Sequence, residues 1–449
     1  MSTEEAAIGP TKSSADRIAE GQKRRSDISR VRHKDLNFKD RTFDPIELLL
    51  ASTEQRLPEL LPIKWARMQT SPFAFFRGAV SIMAADLARL PHTDIQVQLA
   101  GDAHVQNLGS FAAPDGKLVF DFNDFDETIR GPWEWDVKRM ATSIVLAGRE
   151  ADHKQASCED AAETFVERYT QSIASFAGEP ILQVARHQIH REKAIKPISA
   201  ALNQSQRATP LEVLRKLCEK NGRGEPRFRD AKPCSWRVRG DEAKEVLASL
   251  EPYREALRPE SRHLFGLFRP VDVGFKVVGT GSVGLRDYIV LLEGNGPNDP
   301  LFLQIKQQVP SAYAPYLPNV VYPHEGRRAA DGQRAIQPLS DLLLGWTSLG
   351  GHQFLVRQLN DHKGSIDLTQ LRGTGLMSLA VVAGELLARG HSRSGDACMI
   401  YGYCGSGTKI QRALREFASQ YADQTEVDYE RFLEAIEKKK LKVADGPKS

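Results

Sequence analysis

The run GDAHVQNLGSFAAPDGKLVFDFNDFDETIRGPWEWD, residues 101–136, decides how this chain reads. Asp102 stands five positions before Asn107 on what reads as a loop. The turn signal Pro114-Asp115-Gly116 and the strand-like KLVFDF follow, and several carboxylates precede Asp136. Such side chains are acceptors and metal ligands with little use in an apolar core, so their density points to a site rather than to packing.

A D-x4-N pair alone is weak evidence, since on the order of one is expected by chance in a chain of this length. Its context is stronger. In phosphoryl transfer one carboxylate accepts the proton of the attacking hydroxyl, while an amide oxygen and a second carboxylate hold Mg²⁺ against the nucleotide phosphates. Asp102, Asn107 and Asp121 stand in that order. Asp124 competes with Asp121 for the metal, and Asp126 and Glu127 read either as ligands of a second ion or as a solvated loop. His104 reads as orienting the loop through a backbone hydrogen bond, with a role as base the alternative. The plain structural alternative for Asp102 and Asn107 is turn capping.

Upstream, IQVQLAG alternates and stops at glycine, giving a strand over residues 95–100. SPFAFFRGAVSIMAADLARL, residues 71–90, reads as an apolar helix whose Arg77 is expected to be an internal ion-pair partner with a structural role. Residues 1–41 are polar and mixed in charge, so they read as a disordered or loosely ordered arm. Downstream, a helix is expected from Trp135 to about Ala151 with Val137, Met140, Ala141, Ile144 and Val145 on one side.

The second half of the site comes later. VDVGFKVVGTGSVGLRDYIVLLEGNGPNDPLFLQIKQQ, residues 271–308, gives three strands separated by turns, with G-x-G-x-x-G at Gly279, Gly281 and Gly284. A dinucleotide fold would continue from these glycines into a helix. This chain continues into a strand, the hairpin cover that kinase-type loops lay over phosphates, so Thr280 and Ser282 join the glycines as nucleotide-binding candidates. Lys306, 22 positions beyond Gly284, can reach the α and β phosphates from the third strand. Glu325 and Asp331 on the following helix are equal candidates for its acidic partner. His391, Arg393 and Asp396 form a further polar cluster, read as supporting.

The resulting division is a 1–41 arm, a mainly helical catalytic lobe over 42–202 carrying the metal-binding hairpin, and a linker and helical region over 203–270. A nucleotide-binding β lobe over 271–360 and C-terminal helices over 361–449 complete it. Helices are expected at about 326–344 and 375–391, with a strand at QFLVRQL between them. Sixty-one basic against 58 acidic residues leave a formal charge of +3, so no global field recommends nucleic acid or an anionic membrane as partner. Five scattered cysteines without a C-x-x-C pair fit neither a disulfide framework nor zinc, and no apolar leader or spanning stretch is seen. A cytoplasmic protein is the expectation.

GDAHVQN, VFDFNDFDET and GPWEWDVKRMA are similar to the conserved boxes of aminoglycoside phosphotransferases and choline kinases, which have the protein-kinase fold. From about residue 36 to 435, including SPFAFFRG and GTGSVG, the chain resembles the bacterial family DUF2252, grouped with the kinase-like folds. The resemblance implies an α+β, two-lobed fold with Asp102 as catalytic residue, Asn107 and Asp121 as metal ligands and Asp136 bracing the catalytic loop. It also implies a nucleotide loop at Gly279 to Gly284 with Lys306 as its lysine. Two departures stand out. The glycine loop follows the catalytic block, which implies circular permutation, and Ala-Gly-Asp replaces His-Gly-Asp.

The function expected is therefore an ATP- and Mg²⁺-dependent phosphotransferase acting on an unidentified hydroxyl, a small molecule before a protein. A nucleotide-binding pseudokinase or a nucleotidyltransferase is the alternative. A metallophosphoesterase, suggested by Asp102-x-His104, comes third because no further histidine boxes accompany it.

Overall fold

The computed structural model describes residues 12–188, 195–359 and 364–444. They build a mixed α and β molecule with a helical lobe and a sheet lobe facing each other across a cleft.

The axis of the helical lobe is the Trp133–Glu150 helix. Its expected apolar side is buried, with Val137, Met140, Ala141 and Val145 fully enclosed, but so is the opposite side, including Glu134, Asp136, Lys138 and Arg139. A helix buried all round is a central one. The helices Gln155–Gly178, Gly375–Ser394 and Thr408–Glu437 pack around it, so segments more than two hundred residues apart in sequence share one core. The stretch from residue 96 to 132 lies on this core as two short sheets. Gln96–Leu99 pairs antiparallel with Ile129–Pro132, and Leu108–Ala112 pairs with Leu118–Phe122.

The sheet lobe is a six-stranded antiparallel sheet. Its order is Gly345–Leu349, His352–Gln358, Pro300–Gln308, Asp287–Glu293, Arg269–Lys276 and Ser235–Arg237. The expected three-strand meander is thus its centre, extended on both sides. Glu325–Ile336 is a helix that stops well before residue 344, because Pro338 disfavours helical backbone at Gln337. The chain after it forms the Gly345–Leu349 edge strand, which the sequence reading missed.

Two further boundaries shift. Much of the 203–270 stretch belongs to the sheet lobe: Ser235–Arg237 is the sheet's edge strand, and Val246, Leu250, Tyr253 and Phe265 pack with Phe275, Val290 and Ile305. The described part of the arm, from residue 12, is ordered. Ser14–Asp27 is a helix opened by a Ser13–Asp16 capping box. It approaches the Ala397–Cys404 helix so closely that a Cβ on Gly21 would lie 2.0 Å from the Met399 carbonyl oxygen. Arg25 and Arg30 donate to the carbonyls of Gly402, Tyr403 and Cys404, satisfying that helix's C-terminus, and Arg41 bridges buried Asp86 and Asp428. Polar composition suggested solvation; here the arginines serve as caps and buried ion pairs. The first eleven residues and the boundary placed at 360 lie outside the described residues. Among the described residues no helix is long and apolar enough to cross a membrane.

Candidate active site

The Gln96–Leu99 strand delivers the chain to Gly101, whose φ of +82° and whose approach to Glu127, 2.1 Å from an ideal Cβ to its carbonyl oxygen, require glycine. Asp136, in the first turn of the Trp133–Glu150 helix, accepts the N–H groups of Ala100 at 2.6 Å and Gly101 at 2.9 Å. Its carboxylate also lies 3.2 Å from His391 Nε2, while His391 Nδ1 lies 2.8 Å from the Tyr169 hydroxyl. Asp136 therefore holds the backbone that leads into Asp102, with His391 behind it.

Asp102 follows immediately. Arg139 Nε donates to its Oδ1 at 2.7 Å, and His104 Nε2 stands 3.5 Å from Oδ2. Burial alone would raise the Asp102 carboxyl, but Arg139 and His104 outweigh it and hold it well below the usual carboxylate range. His104 Nδ1 accepts the Asn107 N–H at 3.1 Å, so the imidazole shapes the loop, and burial lowers its pKa. Asn107 Nδ2 donates to the Asp102 carbonyl at 2.8 Å, which leaves Oδ1 as the acceptor on that amide. Arg139 was missed in the sequence, although it lies three positions after Asp136 on one helix face, where such a partner can be sought.

The glycine loop faces this arrangement. Gly279 and Gly284 have φ of +69° and +95°. Its carbonyls are held from far upstream in the sequence: Arg56 donates to Val283, and from the Leu61–Met68 helix Lys64 donates to Thr280 and Gly281 and Arg67 to Gly279. Ser282 Oγ turns back to the Val278 carbonyl at 3.2 Å. Two connected compartments lie beneath the loop. One is lined by Lys306, the other by Asp102, His104 and Asn107, and Asp124, Gly279 and Ser282 line both.

The profile of a family described as an uncharacterized protein conserved in bacteria, DUF2252, matches residues 56–435, most of the chain. The chain belongs to the DUF2252 family. No curated protein and no solved structure matches it. The match contains both walls of the cleft and begins at Arg56, the first residue that holds the glycine loop. The Ser14–Asp27 helix precedes it.

In this DUF2252 chain three expected site residues stand elsewhere. Asp121 does not reach the cleft. It is buried, accepts both oxygens' worth of contact from Arg389 Nη2 at 2.5 and 2.7 Å, and with Arg389 lines a separate small cavity. Its neighbours Phe120 and Phe122 fill the hydrophobic core, so the strand is covered on both faces and Asp121 needs an internal counter-ion. Burial outweighs that partner and raises its carboxyl. Asp124, two residues past the strand and 31% exposed, is the carboxylate that lines both compartments.

Neither Glu325 nor Asp331 meets Lys306. Glu325 pairs with Arg328, whose guanidinium also donates to the carbonyls of Asp126, Thr128 and Val309, and Asp331 pairs on the surface with Arg327 and Arg334. Lys306 instead meets Asp126 at 2.5 Å and Asp124 at 3.5 Å. Glu127, beside them, is a cleft carboxylate whose pKa burial raises and which accepts the Ala312 N–H at 2.7 Å. The oxygens of Asn107 and Asp124 are hard donors on one wall. They suit Mg²⁺, which takes one or two protein ligands and completes its shell with phosphate and water.

Proposed function

We propose that this chain is an ATP- and Mg²⁺-dependent phosphotransferase with a protein-kinase-like, circularly permuted fold, transferring the γ-phosphoryl group to the hydroxyl of a small molecule. The observation that carries the reading is that Asp124 lines both compartments of a cleft, with Lys306 in one, Asp102 and Asn107 in the other and the glycine loop over both. The glycine loop joins the first and second strands of a meander and the lysine sits on the third, the arrangement by which kinases cradle a nucleotide. The permutation is supported by the way the sheet lobe hands the chain over: His352–Gln358 is followed by Gly364–Ser365, which pairs with Leu108–Ala112 beside the catalytic loop.

In this reading Lys306 neutralises phosphate oxygens, Asn107 and Asp124 hold Mg²⁺, and Asp102 orients the acceptor hydroxyl. Arg139 keeps Asp102 ionised across the physiological range, which suits an acceptor that aligns the nucleophile and takes its proton late, as a loose transition state allows. Asp124 replaces Asp121 as the carboxylate ligand. Catalysis of this kind is mostly positioning and charge stabilisation, and the braces at Asp136 and Arg139 provide the rigidity it needs. A metallophosphoesterase is disfavoured because both ring nitrogens of His104 face internal partners, the Asn107 N–H and the Asp102 carboxylate.

The test uses the full chain with Mg²⁺ and ATP labelled at the γ or α position, incubated with pools of hydroxyl-bearing metabolites. Transfer of the γ label, lost in Asp102→Ala and Asp124→Asn, is expected. Transfer of the α label would replace the reading with nucleotidyl transfer, and transfer unaffected by both variants would overturn the site assignment.

A further inference from the structure

Not every cation lining the cleft touches a carboxylate. Lys306 meets Asp126, and Arg139 meets Asp102. Arg77, on the Pro72–Gly78 helix, lines the Asp102 compartment together with His104 and Asn107. It was expected to be an internal ion-pair partner; among the described residues it makes neither a hydrogen bond nor an ion pair. Its Nε is buried and without a partner. Arg56 lines the same compartment, and its guanidinium reaches carbonyls, those of Val283 and Ser52, rather than a carboxylate.

Arg77 is half-buried, Asp102, Asp124 and Glu150 act on it through space without touching it, and a guanidinium stays charged in proteins. Buried polar groups left unpaired are rare and call for a cause. Structural roles do not supply one here, because the helix that carries Arg77 is already anchored by buried Phe73, Phe75 and Phe76. The location does. An ideal Cβ on Gly281 would stand 3.4 Å from the Arg77 carbonyl oxygen, so the tip of the glycine loop rests against this helix. The fork of an arginine matches phosphate oxygens in pairs.

We infer that Arg77, with Arg56 beside it, is a binding site for a phosphate-type oxyanion at the Asp102 end of the cleft. The group arrives either as the terminal phosphate of a nucleotide or as a phosphate on the acceptor. The inference stands on two guanidiniums of one compartment that touch no carboxylate, and it does not depend on transfer activity, because inorganic phosphate alone probes it.

The experiment measures inorganic phosphate binding by calorimetry at constant ionic strength, with chloride as the control anion. The wild-type chain is compared with Arg77→Gln and Arg77→Lys. At least a tenfold loss is expected in Arg77→Gln, with partial retention in Arg77→Lys, which keeps the charge and loses the fork. If Arg77→Gln fails to fold, Arg56→Gln gives the same readout, with weakening expected. Equal affinity in the wild type and the folded Gln variant, or no phosphate binding by the wild type, overturns the site. ATP and ADP titrations then name the source. Weakened ATP with unchanged ADP assigns the terminal phosphate; both unchanged, with inorganic phosphate still bound by the ATP-loaded wild type, assigns the acceptor.

Discussion

The ammonium of Lys306 lies 2.5 Å from the carboxylate of Asp126, so the central strand of the sheet lobe is tied to the acidic loop of the helical lobe. Burial would lower the Lys306 pKa, but Asp124 and Asp126 outweigh it and raise it. Lys306→Met keeps the stem and removes the charge, and is expected to cost about 2 kcal/mol, less than a fully buried pair because both carboxylates are partly exposed. Adding Asp126→Asn is expected to recover about 1 kcal/mol of that in a double-mutant cycle read by urea denaturation. Strict additivity would show the two side chains to be uncoupled.

Asp121 and Asp124, three positions apart, are expected to separate stability from ligand binding. Asp121→Asn leaves Arg389 buried and charged and is expected to cost about 3 kcal/mol, while Mg²⁺-ATP binding below the melting transition stays within about twofold. Asp124→Asn is expected to be the less destabilising change and to weaken that binding at least tenfold. Calorimetric titration of both variants decides, and the opposite ranking in binding would return the metal role to Asp121.

The Asp102 carboxyl is held below its unfolded value near 3.9, so the unfolded chain binds more protons than the folded one in the window beneath it. Stability from this group is complete above about pH 5 and is lost as pH falls. Denaturant midpoints measured from pH 3 to 6 are expected to rise with pH less steeply in Asp102→Asn than in the wild type. Superimposable profiles would mean that Arg139 and His104 do not stabilise the ionised form.

Alanine substitutions along the glycine loop are expected to rank by backbone geometry. Gly284, with φ +95° and a Cβ position 2.9 Å from the Arg56 Cβ, is the worst site, at about 2 kcal/mol. Gly279, with φ +69° and the movable Ser282 hydroxyl at 2.8 Å, comes next, and Gly281 is mildest. Thermal melts of the three variants check the order; a Gly281→Ala chain melting lowest would contradict it.

The loop of Asp102 and Asn107, the glycine hairpin and the strand of Lys306 were legible as structural elements because their spacing is local, within one hairpin or one meander. What escaped depends on pairing at long range. Nothing around Asp121 indicates that Arg389 fills its face of the strand, and the sequence reading chose the carboxylate on the strand over the one just past it. Arg139, which grips Asp102, sat within a helix read for its apolar side alone. The Ser14–Asp27 helix escaped because arginines that cap carbonyls and pair with buried Asp86 and Asp428 have the composition of a solvated tail. The sheet's Gly345–Leu349 edge strand, GWTSL, carries too short an alternation to read.

The contact between Asp136 and His391 spans 255 positions, and that between Asp121 and Arg389 spans 268. During synthesis the loop that carries Asp102 therefore leaves the ribosome long before the Gly375–Ser394 helix that stands behind its brace, with the whole glycine-loop sheet made in between. A truncated chain ending anywhere before residue 389 would lack both supports. Completion of the site is thereby tied to completion of translation, and an unfinished product would carry the side chains of the cleft without the rigidity to use them.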